Sequence, residues 1–74
     1  MNIGQTIKRE RLQKKLSQVS LAKLLGVSQD AVSLWELNKR TPNIQDLLKL
    51  ANLFSISLEE LLGVDKDANG KYIL

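Results

Sequence analysis

The chain has 74 residues, a formal net charge of +3, and neither cysteine nor histidine. That length makes a single domain, and a domain of this size buries only about 60% of the surface its unfolded chain exposes, so stability must come from helix packing or a partner chain without help from a disulfide or a zinc site. The same absences remove the commonest general base, soft metal ligand and thiol nucleophile, which argues against an enzyme and against a bound metal or cofactor.

Ile3, Ile7, Arg11 and then Leu12 and Leu16 recur near helical spacing, which predicts an amphipathic first helix over about residues 3 to 14 with a basic outer face. Ser17 offers an oxygen to cap a second helix carrying Leu21, Ala22, Leu24 and Leu25, and Gly26 is suited to end it in the left-handed conformation. Only Val27 separates that glycine from Ser28, a second cap, so a third helix starts after a very tight turn and runs to about Leu37. Two short helices joined this tightly must cross steeply.

Asn38 tolerates left-handed geometry, and Thr41-Pro42-Asn43 forms a loop that delivers Asn43 as the cap of a fourth helix, with Asp46 three residues later. Its apolar positions, Ile44, Leu47, Leu48, Leu50, Ala51 and Phe54, exceed one stripe and predict burial on more than one side. Ser57-Leu58-Glu59-Glu60 has the pattern of a capping box, opening a short fifth helix with Leu58, Leu61 and Leu62 that ends at Gly63. Residues 65–70 are polar and turn-like, and the apolar end Tyr72-Ile73-Leu74 either docks on the domain or lies loose. Without strand alternation or an internal repeat, the expected fold is all-α, a compact five-helix bundle over residues 1–63 followed by a tail over 64–74.

The charge is unevenly spread: residues 1–40 carry +5 and residues 41–74 carry −2. A basic first half suits a polyanion or is simply a solvated helical surface. Apolar runs of two or three residues fall far short of the roughly 20 a membrane helix needs, and no apolar signal core opens the chain, so the expected location is cytoplasmic, with no membrane contact and no evident small-molecule ligand.

The informative stretch runs from Ser17 to Glu36. Ala22 is small enough for two helices to approach, Gly26 makes the turn, Val27 plugs beneath it, and Val32 with Trp35 anchor the third helix by its inner face. Gln29, Asp30, Ser33, Leu34 and Leu37 are then directed outward or at the exposed tip, a set that can enter a major groove.

This stretch resembles the Cro and phage-repressor family of helix-turn-helix domains, also called the XRE family. The resemblance covers roughly residues 3 to 63 and extends past the motif, to Trp35-Glu36, the Lys39-Arg40-Thr41-Pro42 loop, Leu50-Ala51 and Ile56-Ser57-Leu58-Glu59-Glu60-Leu61-Leu62. It implies a lambda-repressor-like fold, with the helix-turn-helix in helices 2 and 3. It also implies that Gln18 touches a phosphate and braces a recognition glutamine, and that Gln29 reads a base, since an amide can pair bidentately with adenine N6 and N7.

Ser33 is placed to reach a base or a phosphate. Ser28, Asn38, Lys39 and Arg40 match positions that contact the backbone and so orient the protein without specifying sequence. Asn38 stands where the family usually has glycine. Asp30 either accepts a bond from cytosine N4 or complements the helix dipole, and Leu34 either meets a thymine methyl or serves as a spacer. Arg11 and Glu36 match an internal ion pair tying the first helix to the end of the third.

The family generally binds two-fold operators as dimers, with recognition helices about 34 Å apart. The candidate dimer surface is Leu53, Leu58, Leu61 and Leu62, with Tyr72 and Ile73 as possible additions. The expected function is sequence-specific binding of double-stranded DNA by a prokaryotic or phage transcriptional regulator, most often a repressor acting as a homodimer. The rival is a protein-binding helical module, antitoxin-like or regulatory, that keeps the fold and uses its apolar second half.

Overall fold

The computed structural model describes residues 2–73. Five helices follow in order, α1 (Ile3–Gln13), α2 (Gln18–Leu25), α3 (Gln29–Glu36), α4 (Ile44–Phe54) and α5 (Leu58–Leu62), and a two-stranded antiparallel hairpin, β1 (Asp65–Lys66) and β2 (Tyr72–Ile73), closes the described chain. Each helix starts where a short polar side chain replaces a missing intrahelical acceptor. Asn2, Ser17, Ser28, Asn43 and Ser57 accept from the amides of Gln5, Ser20, Ala31, Asp46 and Glu60 respectively. Of the capping box at Ser57 only this serine half forms; the Glu60 carboxylate makes no return bond to the Ser57 amide among the described residues.

Helix ends are set by left-handed residues. Gly26 (φ 74°) closes α2 and Gly63 (φ 68°) closes α5, while Lys15, Asn38 and Ser55 take the same conformation without being glycine. The carbonyl of Leu25 at the end of α2 is met by Lys49 Nζ at 3.2 Å, which places a cation where the helix dipole is negative.

The core is one cluster drawn from every helix: Ile3 and Ile7, Leu21, Ala22 and Leu25, Val32 and Trp35, Leu47, Leu50, Ala51 and Phe54, and Leu61. Ile7, Leu21, Val32, Leu50 and Leu61 are fully enclosed. A side chain of this size contributes about 1.5–3 kcal/mol on burial. Helix α2 packs on α3, α1 lies against α3 and α5, and α4 against α5.

One expectation changes, and one open alternative takes a definite form. Helix α4 buries a single stripe, Leu47, Leu50, Ala51 and Phe54, while Ile44 and Leu48 remain 60% and 50% exposed, so its apolar excess faces outward rather than into a second layer. The segment after Gly63, read as a turn-like tail whose apolar end docks or lies loose, forms a short hairpin that contacts α5. Asp67 Oδ1 accepts from the amides of Asn69 and Lys71, Gly70 turns at φ 78°, and Lys66 pairs with Tyr72 across the two strands. Glu59 on α5 holds this hairpin, accepting from the Tyr72 hydroxyl at 2.7 Å and lying 3.3 Å from Lys66 Nζ, which itself sits 5.1 Å from the Tyr72 ring centre. Leu74, read with the tail, lies outside the described residues.

Candidate nucleic-acid interface

Helix α3 is held by its inner face. Val32 and Trp35, three residues apart, are buried against the core, and Ala22 beneath them is 3% exposed, close enough for α2 and α3 to meet. The opposite face presents Gln29 and Asp30 exposed in the first turn, with Ser33 and Leu34 half-buried behind them. Leu37, just past the helix, is 60% exposed. Gln29 and Asp30 therefore protrude together from the helix start, next to amide groups that carry partial positive charge.

A network runs from the interior to this surface. Arg11 Nε donates to Glu36 Oε2 at 2.6 Å and Arg11 Nη2 to Glu36 Oε1 at 3.0 Å, a two-pronged pair whose side chains are 10% and 5% exposed. Arg11 Nη1 donates to the Leu16 carbonyl at 2.8 Å, so the same guanidinium also ties the end of α1. The hydrogen bond from Glu36 raises the Arg11 pKa still further above its ordinary value, with burial opposing and the opposite charge adding to the rise. Gln18 Nε2 donates to Glu36 Oε1 at 3.1 Å, and Gln29 Nε2 donates to Gln18 Oε1 at 3.3 Å. Half-buried Gln18 thus links the enclosed ion pair to the exposed glutamine.

The remaining candidates divide into two groups. Lys39 and Arg40 are exposed, and Arg40 borders an open recess of about 310 Å³ whose rim includes Ser28 and Asn43, the caps of α3 and α4. Ser28 already accepts from the Ala31 amide at 3.1 Å, which leaves its hydroxyl proton to be donated. Asn38 is committed inward: its Oδ1 accepts from the Gly4 amide and its Nδ2 donates to Asn2 Oδ1, both at 3.0 Å. Its main role in the fold is to clamp the start of α1 to the end of α3.

That clamp depends on residues the sequence reading passed over, Asn2 and Gly4. A Cβ on Gly4 would collide with the backbone carbonyls of Trp35 and Glu36, so only glycine lets α1 lie this close. The available signal was a glycine inside an apolar helical pattern, which marks close packing.

Of the four leucines expected at a dimer surface, Leu61 is withdrawn: it is fully buried and has no face to offer a partner. Leu53, Leu58 and Leu62 are half-buried against the core. Leu58 and Leu62, with Val64, Glu59 and Tyr72, line a mainly apolar groove of about 290 Å³ between α5 and the hairpin. Among the described residues there is no acidic cluster able to hold a metal ion and no helix long and apolar enough to cross a membrane.

Two short helices packed on each other across a turn made at Gly26, the second anchored by its inner face and presenting an outward polar first turn, define a helix-turn-helix domain. Residues 7–61 match the helix-turn-helix family model, and the chain belongs to that family, in its XRE branch. It is 36% identical over 59 residues to YqaE of Bacillus subtilis strain 168, an uncharacterised HTH-type transcriptional regulator, covering 80% of this chain and 51% of that one. It is 36% identical over 63 residues to repressor protein C2 of Salmonella phage P22, covering 85% of this chain and 29% of that protein.

Solved structures agree in fold. The P22 c2 repressor bound to a synthetic operator superposes with a TM-score of 0.77 at 34% identity, covering 82% of this chain and 92% of that one. The biofilm regulator SinR in complex with DNA gives 0.74 at 39% identity, covering 81% and 97%. The chain spans about half or less of the length of the curated relatives it matches.

Proposed function

We propose that this chain is the double-stranded-DNA-reading domain of a transcriptional regulator, acting in the cytoplasm as a homodimer on a two-fold operator and repressing more often than activating, with no catalysis of its own. The observation that carries the reading is the exposed first turn of α3, where Gln29 is held by Gln18, on a chain that also exposes the cations Lys39 and Arg40 just past α3 and on a fold whose P22 and SinR relatives were solved on DNA. In this reading Lys39 and Arg40, with Gln18, Ser28 and the remaining amide hydrogen of Asn38, meet phosphates and set register, while Gln29, Asp30, Ser33 and Leu34 face base edges.

The dimer surface in this reading is the Leu53, Leu58 and Leu62 side of the domain. Sequences selected from a random duplex pool at near-physiological salt test the proposal. Enrichment of an inverted repeat, bound with two chains per duplex, supports a dimeric sequence-specific regulator. Binding without enrichment that disappears as salt rises refutes it and favours the protein-binding module, for which the groove at Leu58, Leu62 and Tyr72 is the surface to mutate.

A further inference from the structure

Glu36 has a second connection besides Arg11. A carboxylate only accepts hydrogen bonds. The Glu36 side chain, 5% exposed, accepts twice from Arg11 and a third time from Gln18 Nε2. The amide of Gln18 therefore has one permitted orientation, nitrogen inward and oxygen outward, because the reverse would set two acceptors against each other with no proton between them. The outward Gln18 Oε1 in turn requires a donor, and Gln29 supplies its Nε2. Every hydrogen bond from Arg11 to Gln29 points in a direction fixed by one enclosed negative charge.

The consequence lies at the surface. With one Nε2 hydrogen given to Gln18, exposed Gln29 keeps one N–H and its carbonyl oxygen free, in a fixed order. A donor beside an acceptor matches adenine, whose major-groove edge offers N7 as acceptor and N6 as donor. Guanine offers N7 and O6, two acceptors, and would place O6 against the Gln29 oxygen. An unrestrained glutamine escapes this by turning its oxygen away from the base and offering both Nε2 hydrogens to N7 and O6, whereas here that turn takes the N–H from Gln18 and sets the Gln29 oxygen against Gln18 Oε1.

We propose that Glu36 is a positioning residue for base selection, fixing the polarity of the Glu36–Gln18–Gln29 relay so that Gln29 accepts adenine and rejects guanine. This rests on reading α3 as the DNA-recognition helix. Glu36 touches no base and acts through Gln18.

The test uses the whole chain. A site is first selected from random duplexes, and the base pair read by Gln29 is located as the one whose preference disappears in Gln29→Ala. Competition binding then compares duplexes carrying adenine or guanine there. The wild type prefers adenine by about tenfold, within the range of a bidentate pair. Gln18→Met, which fills the space and breaks the relay, lowers that ratio to about twofold or less. Glu36→Gln, which offers Gln18 an N–H and allows it to reverse, does the same, and adding Gln18→Met to it changes the ratio no further.

Loss of stability alone weakens binding to both duplexes equally and leaves the ratio untouched; that result in Glu36→Gln and Gln18→Met overturns the relay. Should Glu36→Gln fail to fold, the paired change Arg11→Met with Glu36→Met removes the carboxylate without leaving a buried charge and takes its place, with the same loss of the adenine preference expected. If the wild type selects no sequence, the DNA-reading assignment falls and the relay with it. If it selects one but the variants keep the wild-type ratio, only the relay falls.

Discussion

Replacing Arg11 by alanine removes three hydrogen bonds at once, two to Glu36 and one to the Leu16 carbonyl. It leaves a carboxylate that is 5% exposed facing only the Gln18 amide. Breaking a buried pair by deleting one partner costs about 3–5 kcal/mol. The remaining Gln18 bond places this case at the lower end, about 3 kcal/mol. For a domain of this size 1 kcal/mol moves the melting temperature by about 4–8 °C, so Arg11→Ala melts roughly 12–24 °C below the wild type.

The folded-state pKa of Arg11 is raised, so its contribution is fully present below the unfolded value and is lost only as pH rises through the folded one, above the range in which melting is measured. The deficit should therefore be the same at pH 6 and pH 9. Circular dichroism melts of wild type, Arg11→Ala and the paired change Arg11→Met with Glu36→Met form the assay. The paired change restores apolar contact and is expected to recover most of the loss. A fall of less than about 5 °C in Arg11→Ala would refute the reasoning, because the carboxylate would then be solvated in practice.

Gly4→Ala gains helix propensity but drives a methyl into the carbonyls of Trp35 and Glu36, backbone atoms that cannot rotate away, and a net loss of about 2 kcal/mol is expected in urea titration. A stabilised variant would show that α1 and α3 separate easily. The Glu59 pKa is lowered, chiefly by the Tyr72 hydroxyl and then by Lys66, and that of Tyr72 is raised by Glu59. The contact is therefore complete in the neutral range, lost at low pH as Glu59 protonates through its lowered pKa, and lost at high pH as Tyr72 ionises through its raised one. Tyr72 is the chain's one tyrosine, so ultraviolet titration reads it directly, and Glu59→Ala should bring its midpoint back toward 10. An unchanged midpoint counts against the docked hairpin. Lys39→Ala and Arg40→Ala should each weaken binding to all duplexes alike and reduce the slope of log affinity against log salt by about one, measured by fluorescence anisotropy; a change of sequence preference would instead place them on bases.

The order of helices was legible because their starts are written locally. Ser17, Ser28, Asn43 and Ser57 each sit immediately before the first residue of a helix whose apolar residues recur at helical spacing, and capping is decided within a single turn. The anchor residues Val32 and Trp35 were legible for the same reason. What depended on distant neighbours was not. Ile44 and Leu48 look like core residues in sequence, but whether a second layer covers α4 is a matter of tertiary arrangement. The Asn2–Asn38–Gly4 clamp joins residues more than 30 positions apart through short polar side chains that are common at any surface. The hairpin escaped notice because two residues per strand are too few to show alternation, and its anchor, Glu59, already had an adequate explanation as a first-turn acid.

The chain contains one tryptophan and one tyrosine, and the fold has put them in different parts of the molecule. Trp35, 3% exposed, is seated under α3, whereas Tyr72, 50% exposed, belongs to the hairpin leaning on α5. The two chromophores make the protein a natural pair of optical gauges, one for seating of α3 and one for attachment of β2. Followed together through a denaturant series, coincident transitions would mark a single cooperative unit, and an earlier tyrosine change would mark the hairpin as a separately opening piece of the same small domain.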